Sequence, residues 1–391
     1  MNTILLRAKE IENEIISNRR QLHKNPELGN DLSFTSQYVM DKLCEMGYEP
    51  IKIGESGVVA TVGKGNKTIL LRADMDALPM KETSGEEFSA MGEYAHACGH
   101  DTHTAMLLGA ARLLKEREQD LKGIVKLMFQ PDEEGLTGAK LMIDGGVLEN
   151  PKVDAAMAMH ISIGRKCGVV ATSYGTVMAS CDRFTINING KGTHGADPHL
   201  GVDPINIAVH VHMALQELMS RETAPGDNAV LTIGRISAGT APNIIPEEAV
   251  MEGTLRCFNA DTRKFLLERL KEVCNFTAKS FRGECTVEIS GSVPPVMCND
   301  NISNAMEGYV KECIGEENTI AMPNQCGGSE DFAYVLEQVP GTYLALGAGT
   351  EEEGYIYNVH NPSVRFNENS FHVGAAVYAF CAMKWIEDNS K

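Results

Sequence analysis

The chain has 391 residues, of which 43% are hydrophobic and 23% are charged. These fractions are typical of soluble globular proteins, and the length exceeds one ordinary hydrophobic core and predicts two domains. Asp and Glu together number 53 against 35 Lys and Arg, which gives a formal net charge of −18. This excess of negative charge argues against a nucleic-acid or anionic-membrane partner.

The 11 cysteines are scattered along the chain without a regular spacing. Such cysteine usage in a large chain is typical of a reducing compartment. The N-terminal segment carries charges among its apolar residues, and no apolar run is long enough to cross a bilayer, so neither a signal peptide nor a membrane span is expected. We therefore expect a cytoplasmic protein.

The first third of the chain predicts alternating helices and strands. Apolar residues at helical spacing predict helices over residues 4–23 and 35–46, and apolar runs predict strands over residues 58–62 and 68–72. The second of these strands leads into Asp74 and Asp76. Carboxylates that follow a buried strand lie where open α/β sheets bind ligands, although they can also simply cap the strand end.

The stretch from His96 to His103 reads HACGHDTH. Thiolate and imidazole, supplied here by Cys98 and His100, are the side chains that borderline-soft metals prefer. The residues after the stretch predict a helix over 104–114 with Asp101 or Thr102 as its N-cap, so the cluster would lie at the positive end of a helix dipole. The alternative is a buried thiol beside exposed histidines.

Two further predicted strands also end in polar side chains. A strand over residues 123–130 runs into Asp132, Glu133 and Glu134, three carboxylates that repel one another unless they form a surface turn or are compensated by a cation. After a short predicted helix over residues 137–143, a strand over residues 153–160 ends in His160.

The pattern changes at residue 181 and resumes after the Pro294-Pro295 pair. Between these points the sequence predicts strand, helix, strand, strand, helix and strand, which is the order of a ferredoxin-like sandwich. Their predicted ranges are 184–189, 203–220, 229–237, 247–258, 261–280 and 285–289, with Asp261 or Thr262 capping the second helix. We therefore predict a domain over residues 181–293 that is inserted into a domain formed by residues 1–180 and 294–391.

The last part of the chain completes the first domain. It predicts helices over residues 301–313, 329–338 and 369–385 and a strand over residues 342–346, with Ser329 as a helix cap and His360 on a loop. The polar side chains at strand ends are of the kind that two neighbouring metal ions with a shared ligand and an adjacent base require. These side chains are Asp76, Cys98, His100, Glu133, Glu134, His160 and His360.

Motifs along nearly the whole chain resemble those of one enzyme family. They read, in order, RADMDALP, HACGHDTHTAMLLGAA, FQPDEEG, GKGTHGADPHLGVDP, GTAPNIIP, GTLRCF, GGSEDFAY and HNP. The chain thereby resembles the dimetal amidohydrolases that include aminoacylases, hippurate hydrolases and indole-acetyl-amino-acid hydrolases, relatives of carboxypeptidase G and dipeptidases. The resemblance implies an α/β fold, in which a mixed-sheet metallopeptidase-like catalytic domain carries an inserted ferredoxin-like α+β domain.

The resemblance also implies a role for each candidate site residue. Two divalent metal ions per chain, zinc first and manganese, cobalt or nickel otherwise, would be held by Cys98 as the bridging ligand together with His100, Glu134, His160 and His360. Glu133 would be the general base, and Asp76 would support a metal-binding histidine. In the inserted domain, His194 would stabilise the oxyanion from the partner subunit of a homodimer, and Asn243 and Arg256 would hold the substrate carboxylate.

The sequence departs from the commoner family pattern at a few positions. Asp132 stands where a small residue is usual, and the segments after His160 and His360 differ, which leaves the substrate preference open. The predicted function is metal-dependent hydrolysis of the amide bond of N-acyl-L-amino acids. The alternatives are a deacetylase specific for an N-acetyl-diaminopimelate-type intermediate, a cysteine hydrolase that uses Cys98 as its nucleophile, and a non-catalytic metal-dependent binding protein.

Overall fold

The computed structural model describes residues 2–322 and 325–390. The chain divides into two compact units. The first comprises Met1–Gly175, Met297–Asn324 and Asp331–Lys391, and the second comprises Thr176–Val296 and Gln325–Glu330. The second unit is thus inserted in the sequence of the first. Within the described ranges, no helix has the length and apolar character needed to span a membrane.

The described residues form the following helices and strands. The helices are α1 Thr3–Glu10, α2 Glu12–His23, α3 Ser33–Glu45, α4 His100–Lys115, α5 Gly138–Asp144, α6 Pro204–Glu217, α7 Ala260–Ser280, α8 Asp300–Ile314, α9 Ala333–Leu336 and α10 Phe371–Asn389. The strands are β1 Ile51–Ile53, β2 Gly57–Gly63, β3 Thr68–Asp74, β4 Ile124–Gln130, β5 Ala155–Ser162, β6 Val170–Thr172, β7 Gly175–Met178, β8 Cys181–Asn189, β9 Thr193–His194, β10 Ala229–Ala238, β11 Ile244–Ile245, β12 Glu248–Cys257, β13 Glu284–Val293, β14 Val296–Cys298, β15 Thr319–Ala321 and β16 Gly341–Gly347.

The first unit is built around a mixed sheet of eight described strands in the order β1-β2-β4-β3-β5-β16-β6-β15. The four central strands β4, β3, β5 and β16 run parallel to one another, whereas β2 pairs antiparallel with β4 on one side and β6 pairs antiparallel with β16 on the other. Strands β3 and β4 are almost entirely buried along their lengths, as expected for parallel strands covered on both faces. The carboxyl ends of the four parallel strands therefore meet at one edge of the sheet.

Two buried helices cover the sheet beside this edge. Nearly every residue of α4 is buried, as is most of α10, and helices with no polar face of their own lie in the interior of a large core. Gly109 lies where α4 closely approaches its neighbours, since a Cβ atom there would come within 2.9 Å of Ala375 on α10 and Ile15 on α2. This packing holds α4, whose N-terminal turn carries the histidine-cysteine cluster, between α2 and α10.

The second unit contains a four-stranded antiparallel sheet in the order β10-β12-β8-β13. Its strands and helices follow one another as β8, α6, β10, β12, α7 and β13, which is the predicted ferredoxin-like order. Inward-facing residues of β8, such as Phe184 and Ile186, pack with Ile207 of α6 and Leu266 of α7 in one core. The predicted fold class, a mixed-sheet α/β unit with an inserted α+β unit, is confirmed.

The structure corrects several predicted helix boundaries. The helix predicted over residues 4–23 is two helices, because the chain leaves helical geometry at Ile11, where φ is −96° and ψ is 10°. Helix α4 begins at His100, and neither Asp101 nor Thr102 is its N-cap. The Asp101 carboxylate contacts Arg19 and His23 instead. The Thr102 hydroxyl donates a hydrogen bond to the Gly99 carbonyl.

The predicted caps of two later helices are also wrong. The side chain of Asn259 caps α7 by accepting hydrogen bonds from the backbone amides of Asp261 and Thr262, the two residues that were predicted as caps. The helix predicted to begin at Ser329 is limited to α9, because the Asp331 carboxylate accepts hydrogen bonds from Arg72, Gln130 and the Ala139 amide rather than capping a helix.

Candidate metal centre

The candidate ligands of the first unit converge at the carboxyl edge of the parallel strands. Asp76 follows β3, Glu133 and Glu134 follow β4, and His160 lies near the end of β5. Cys98 and His100 reach the same edge at the start of α4, and His360 arrives on the loop after β16. The structure therefore brings together all seven side chains that the sequence placed at strand ends.

Asp76 organises one side of this centre. Its two carboxylate oxygens accept hydrogen bonds from the backbone amides of Glu133, at 3.1 Å, and Glu134, at 3.0 Å. Its Oδ1 also lies 3.2 Å from Nδ1 of His100. Because a carboxylate accepts, Nδ1 of His100 carries a proton, and Nε2 is the ring nitrogen left to face the centre. Asp76 thus contacts a histidine and the backbone of the adjacent glutamate pair at the same time.

The free nitrogen of His100 faces the centre. The His100 side chain is completely buried, and among the described residues its Nε2 atom has no hydrogen-bond partner. The nearby carboxylate oxygens of Asp74 and Glu133 lie 3.7 and 3.9 Å away, beyond hydrogen-bond distance. A buried ring nitrogen without a partner is costly, and a cation bound at Nε2 would provide one.

Cys98 and His160 form a second part of the centre. Nε2 of His160 lies 3.4 Å from Sγ of Cys98, while its Nδ1 lies 2.5 Å from the Ile161 carbonyl oxygen. The carbonyl must accept from Nδ1, so His160 also presents Nε2 towards its neighbours. Gly99, with φ of 91°, turns the chain between Cys98 and His100, and a Cβ atom there would come within 2.6 Å of Ile161.

Glu134 and His360 complete the set. Oε1 of Glu134 lies 3.2 Å from Nε2 of His360, and the His360 backbone amide donates to the Ala97 carbonyl at 2.8 Å. His360 has a φ of 63°, a left-handed backbone conformation that is uncommon for a residue with a side chain. The neighbouring Asp132 instead contacts Asn30 and Thr137.

The donor set fits a pair of divalent cations. Two groups of three ligand atoms, each mutually within 4.8 Å, share Cys98, and one contains His100 and His160 while the other contains Glu134 and His360. A thiolate common to both groups has the position expected of a bridging ligand. Nitrogen, oxygen and sulfur donors of this kind suit zinc and other first-row transition metals.

The pKa values of two candidate ligands bear on how the centre would bind a cation. Burial raises the pKa of the Cys98 thiol to about 12, so its thiolate form needs an adjacent positive charge. Burial lowers the pKa of His160 to about 3, which keeps its imidazole neutral, the form that binds metals.

The three predicted site residues of the inserted segment lie in the second unit. His194 is exposed on β9, where it pairs with Ile244 of β11, and the amide of the following Gly195 donates to the Asn243 carbonyl at 2.8 Å. His194 and Asn243 are therefore neighbours. Arg256 lies on β12, and its Nη1 donates to the Gly327 carbonyl at 2.9 Å.

The sequence did not assign a role to several buried polar residues around the centre. Asp74 and His103 contact each other at 2.6 Å beneath the ligands, and Arg19 and His23 both contact Asp101, the residue after His100. One feature of the sequence could have indicated His103, since it stands three residues after His100 on the same helix and therefore on the same helical face. The contacts to Arg19 and His23 join residues about eighty positions apart and leave no local pattern.

A parallel-strand edge that carries two ligand triads and an adjacent glutamate is typical of metal-dependent hydrolases. The sequence matches the model of peptidase family M20/M25/M40 over residues 70–384, and the chain belongs to this family. The predicted family and enzyme class, a hydrolase acting on linear amide bonds, are confirmed.

Similar proteins include several named enzymes. The chain is 38% identical to thermostable carboxypeptidase 2 of Saccharolobus solfataricus, covering 97% of both chains. It is 37% identical to the IAA-amino acid hydrolase ILR1-like 2 of Arabidopsis thaliana, over 98% of this chain and 88% of the relative. It is also 37% identical to the hippurate hydrolase of Campylobacter jejuni, over 97% and 98% of the two chains.

Solved structures show the same fold. A candidate aminohydrolase from methicillin-resistant Staphylococcus aureus matches with a TM-score of 0.93 and 30% identity over the full length of both chains. The YXEP protein of Bacillus subtilis, described as a dinuclear metal-binding peptidase of the M20 family, matches with a TM-score of 0.81 and 31% identity over 97% of this chain and 99% of its own.

Proposed function

We propose that this enzyme hydrolyses the amide bond of N-acyl-L-amino acids and releases a carboxylic acid and a free amino acid. The observation that carries the proposal is the pair of ligand triads that share Cys98 beside Glu133. The names of the relatives support the substrate class, because hippurate, an IAA-amino acid and a peptide at its carboxyl end share an amide next to a free carboxylate.

Two divalent metal ions would be held by Cys98, His100, Glu134, His160 and His360, with Cys98 common to both. The thiolate and the imidazoles favour zinc, and manganese, cobalt or nickel are the alternatives. When bound, such ions polarise the scissile carbonyl and lower the pKa of water. The similar YXEP protein, described as dinuclear, supports two ions rather than one.

Glu133 would be the general base. It is 7% exposed, and its Oε2 lies 3.9 Å from the ligating nitrogen of His100, so it is next to the centre without belonging to the triads that share Cys98. In this role it takes a proton from the attacking water and transfers it to the leaving amine. Asp76 holds the backbone of Glu133 and the ring of His100, which fixes the base relative to the ligand.

The second unit would supply the remaining substrate contacts. His194 would stabilise the oxyanion from the partner subunit, and Asn243 and Arg256 would bind the substrate carboxylate. The exposed position of His194 beside Asn243 supports a shared role in binding. An arginine at residue 256 suits a carboxylate because its guanidinium can donate two parallel hydrogen bonds.

A homodimer through the second unit is part of this proposal. Helix α6 exposes Ile205, Val209 and Met213 by 42%, 54% and 64% on one face, and β10 is an edge strand of its sheet. An apolar helix face beside an open strand edge is suited to a self-complementary interface. We expect Met213→Glu to yield monomers in sedimentation experiments and Phe276→Glu, an equally exposed change on α7, to leave a dimer. A wild-type monomer would contradict the proposal.

We also place the enzyme in the cytoplasm. All eleven cysteines are unpaired thiols in the structure, and most are buried, as expected for a protein kept in a reducing compartment.

The reaction can be tested with a panel of acetyl, benzoyl and indole-acetyl amino acids, before and after chelation and with zinc or manganese restored. We expect chelation to abolish hydrolysis and metal to restore it. Glu133→Gln should lower kcat by at least about 100-fold while metal still binds, whereas the adjacent Asp132→Asn should change it little, because Asp132 contacts Asn30 and Thr137.

Other outcomes would favour the alternatives. Hydrolysis that is indifferent to chelator but lost on thiol alkylation would indicate a cysteine hydrolase. Turnover limited to an N-acetyl-diaminopimelate-type compound would indicate a specific deacetylase, and metal binding without any turnover would indicate a binding protein. Full activity in Glu133→Gln would contradict the proposed mechanism.

A further inference from the structure

Strands β3 and β5 separate just before they reach the centre. Their parallel pairing extends from Ile69 and Ala155 to Arg72 and Ala158, although β3 continues to Asp74 and β5 to Ser162. The backbone groups of β5 beyond Ala158 that face β3 therefore need other partners, because buried amides without partners are costly. Two side chains supply them.

The first is Tyr378 of helix α10. Its hydroxyl accepts a hydrogen bond from the Met159 amide at 2.8 Å and donates one to the Arg72 carbonyl at 2.8 Å. The hydroxyl group thus lies between the two strands where a direct backbone hydrogen bond would otherwise join them. The two strands separate from this point towards the centre.

The second is His103 of helix α4. Its Nε2 accepts a hydrogen bond from the Ile161 amide at 2.8 Å, and its Nδ1 lies 2.6 Å from Oδ1 of Asp74. Because Nε2 accepts from an amide, Nδ1 must carry the proton and donate it to the carboxylate. The imidazole ring therefore connects the end of β3 to the end of β5 through one fixed tautomer.

His103 cannot ligate a metal in this arrangement, because both of its ring nitrogens are occupied. It instead packs against two proposed ligands, with its ring centroid 4.5 Å from that of His160 and 5.5 Å from that of His100. The amide that it holds belongs to Ile161, the residue directly after His160. His103 therefore determines both the position of the backbone beside His160 and the space available to its ring.

Asp74 is itself held in place from below. Its Oδ2 lies 2.7 Å from Nη1 of Arg72, and Nη2 of the same arginine lies 3.1 Å from Oδ1 of Asp331. All three side chains are almost completely buried. A carboxylate fixed by a buried guanidinium is a rigid acceptor for His103.

We infer that Asp74 and His103 are positioning residues that hold the opening between β3 and β5 at the width the metal centre requires. This inference rests on the proposed function, since it assumes that His100 and His160 bind metal. Residues that orient metal ligands in this way typically contribute about 10–100-fold to metal affinity.

The inference can be tested by cobalt binding to the metal-free full-length chain in competition with a chromogenic chelator. The absorption band of the cobalt–thiolate bond reports the geometry at Cys98. His103→Phe keeps a ring of similar size but loses both hydrogen bonds, and His103→Gln retains an amide donor for Asp74 and a carbonyl acceptor for Ile161. Tyr48→Phe is the matched control, because it removes a buried hydrogen bond to the Ala111 carbonyl, far along α4.

We expect His103→Phe to lower cobalt affinity about 10–100-fold and to alter the thiolate band, His103→Gln to recover part of the loss, and Tyr48→Phe to behave as wild type. Wild-type affinity and spectrum in His103→Phe would overturn the inference, as would an equal loss in Tyr48→Phe. If His103→Phe does not fold, Asp74→Asn takes its place under the same criteria. Failure of the wild type to bind cobalt would overturn the proposed function instead, and this inference with it.

Discussion

The buried ion pair between Arg19 and Asp101 leads to a quantitative prediction about stability. Nε of Arg19 on α2 lies 2.7 Å from Oδ2 of Asp101 on α4, and the two side chains are 3% and 0% exposed. The guanidinium carbon of Arg19 also lies 4.7 Å from the centroid of the Phe88 ring. Replacing Arg19 with methionine retains much of the volume but removes the charge from the pair.

The expected loss in the free energy of unfolding depends on the contacts that Asp101 keeps. Removing one partner of a buried ion pair costs about 3–5 kcal/mol, and the lost contact with the Phe88 ring adds about 1 kcal/mol. His23 still contacts Asp101 at 2.7 Å, so the carboxylate keeps one partner. We therefore expect Arg19→Met to lower the free energy of unfolding by about 3 kcal/mol, which corresponds to a fall of roughly 4–5 °C in the unfolding midpoint for a unit of this size.

The adjacent arginine provides a matched control. The guanidinium carbon of Arg20 lies at the same 4.7 Å from the Phe88 ring, but Arg20 is 44% exposed and pairs with Glu368 at 2.6 Å. Exposed ion pairs contribute about 0–1 kcal/mol, so Arg20→Met should have little effect.

Both variants can be followed by the fluorescence of Trp385, the one tryptophan of the sequence, which is buried in the first unit. Urea unfolding of the metal-free chain gives the free energies directly. Equal losses for Arg19→Met and Arg20→Met, or a loss below about 1 kcal/mol for Arg19→Met, would refute the argument that burial makes this pair important.

Three further predictions concern other buried groups. Lys126→Met removes a buried ammonium that donates to three backbone carbonyls within residues 147–151, so urea unfolding should show a loss of about 3 kcal/mol. Burial alone would raise the pKa of Glu82, but its contact with His23 lowers that pKa from 4.5 to about 2. The stability that this contact contributes is therefore present above pH 4.5 and is lost as the pH falls towards 2. Glu82→Gln should make the unfolding midpoint less dependent on pH in this range. Cys98→Ser should reduce zinc uptake more than manganese uptake in metal analysis, because a hydroxyl is a harder ligand than a thiolate.

The sequence predicted best those site residues that lie at the ends of strands. Asp76 and His160 each follow an apolar run, and the structure places both at the carboxyl edge of parallel strands. The prediction worked because a buried parallel strand has a distinct pattern and its carboxyl end is the edge at which ligands bind. Which strands would be neighbours was not readable, since β3 lies between β4 and β5 rather than beside β2.

The contacts that support the ligands were not predictable from local pattern. The sequence suggested that Asp101 would cap a helix, but its carboxylate is required by Arg19 and His23, about eighty positions earlier in the chain. Likewise, His103 had no assigned role because its two partners, Asp74 and the Ile161 amide, come from different strands. Such contacts depend on how distant elements pack, and propensity and periodicity do not contain that information.

The Tyr378 hydroxyl between β3 and β5 has a consequence for how this enzyme folds. Arg72 and Tyr378, which meet at the opening of the sheet, are 306 positions apart in the chain. During synthesis the ribosome delivers β3, α4 and β5 long before α10, so this contact can form only after nearly the whole chain has been made. We therefore expect the opening beside His160 to reach its final width only after α10 has docked, so that metal binding would depend on both the N-terminal and the C-terminal parts of the first unit.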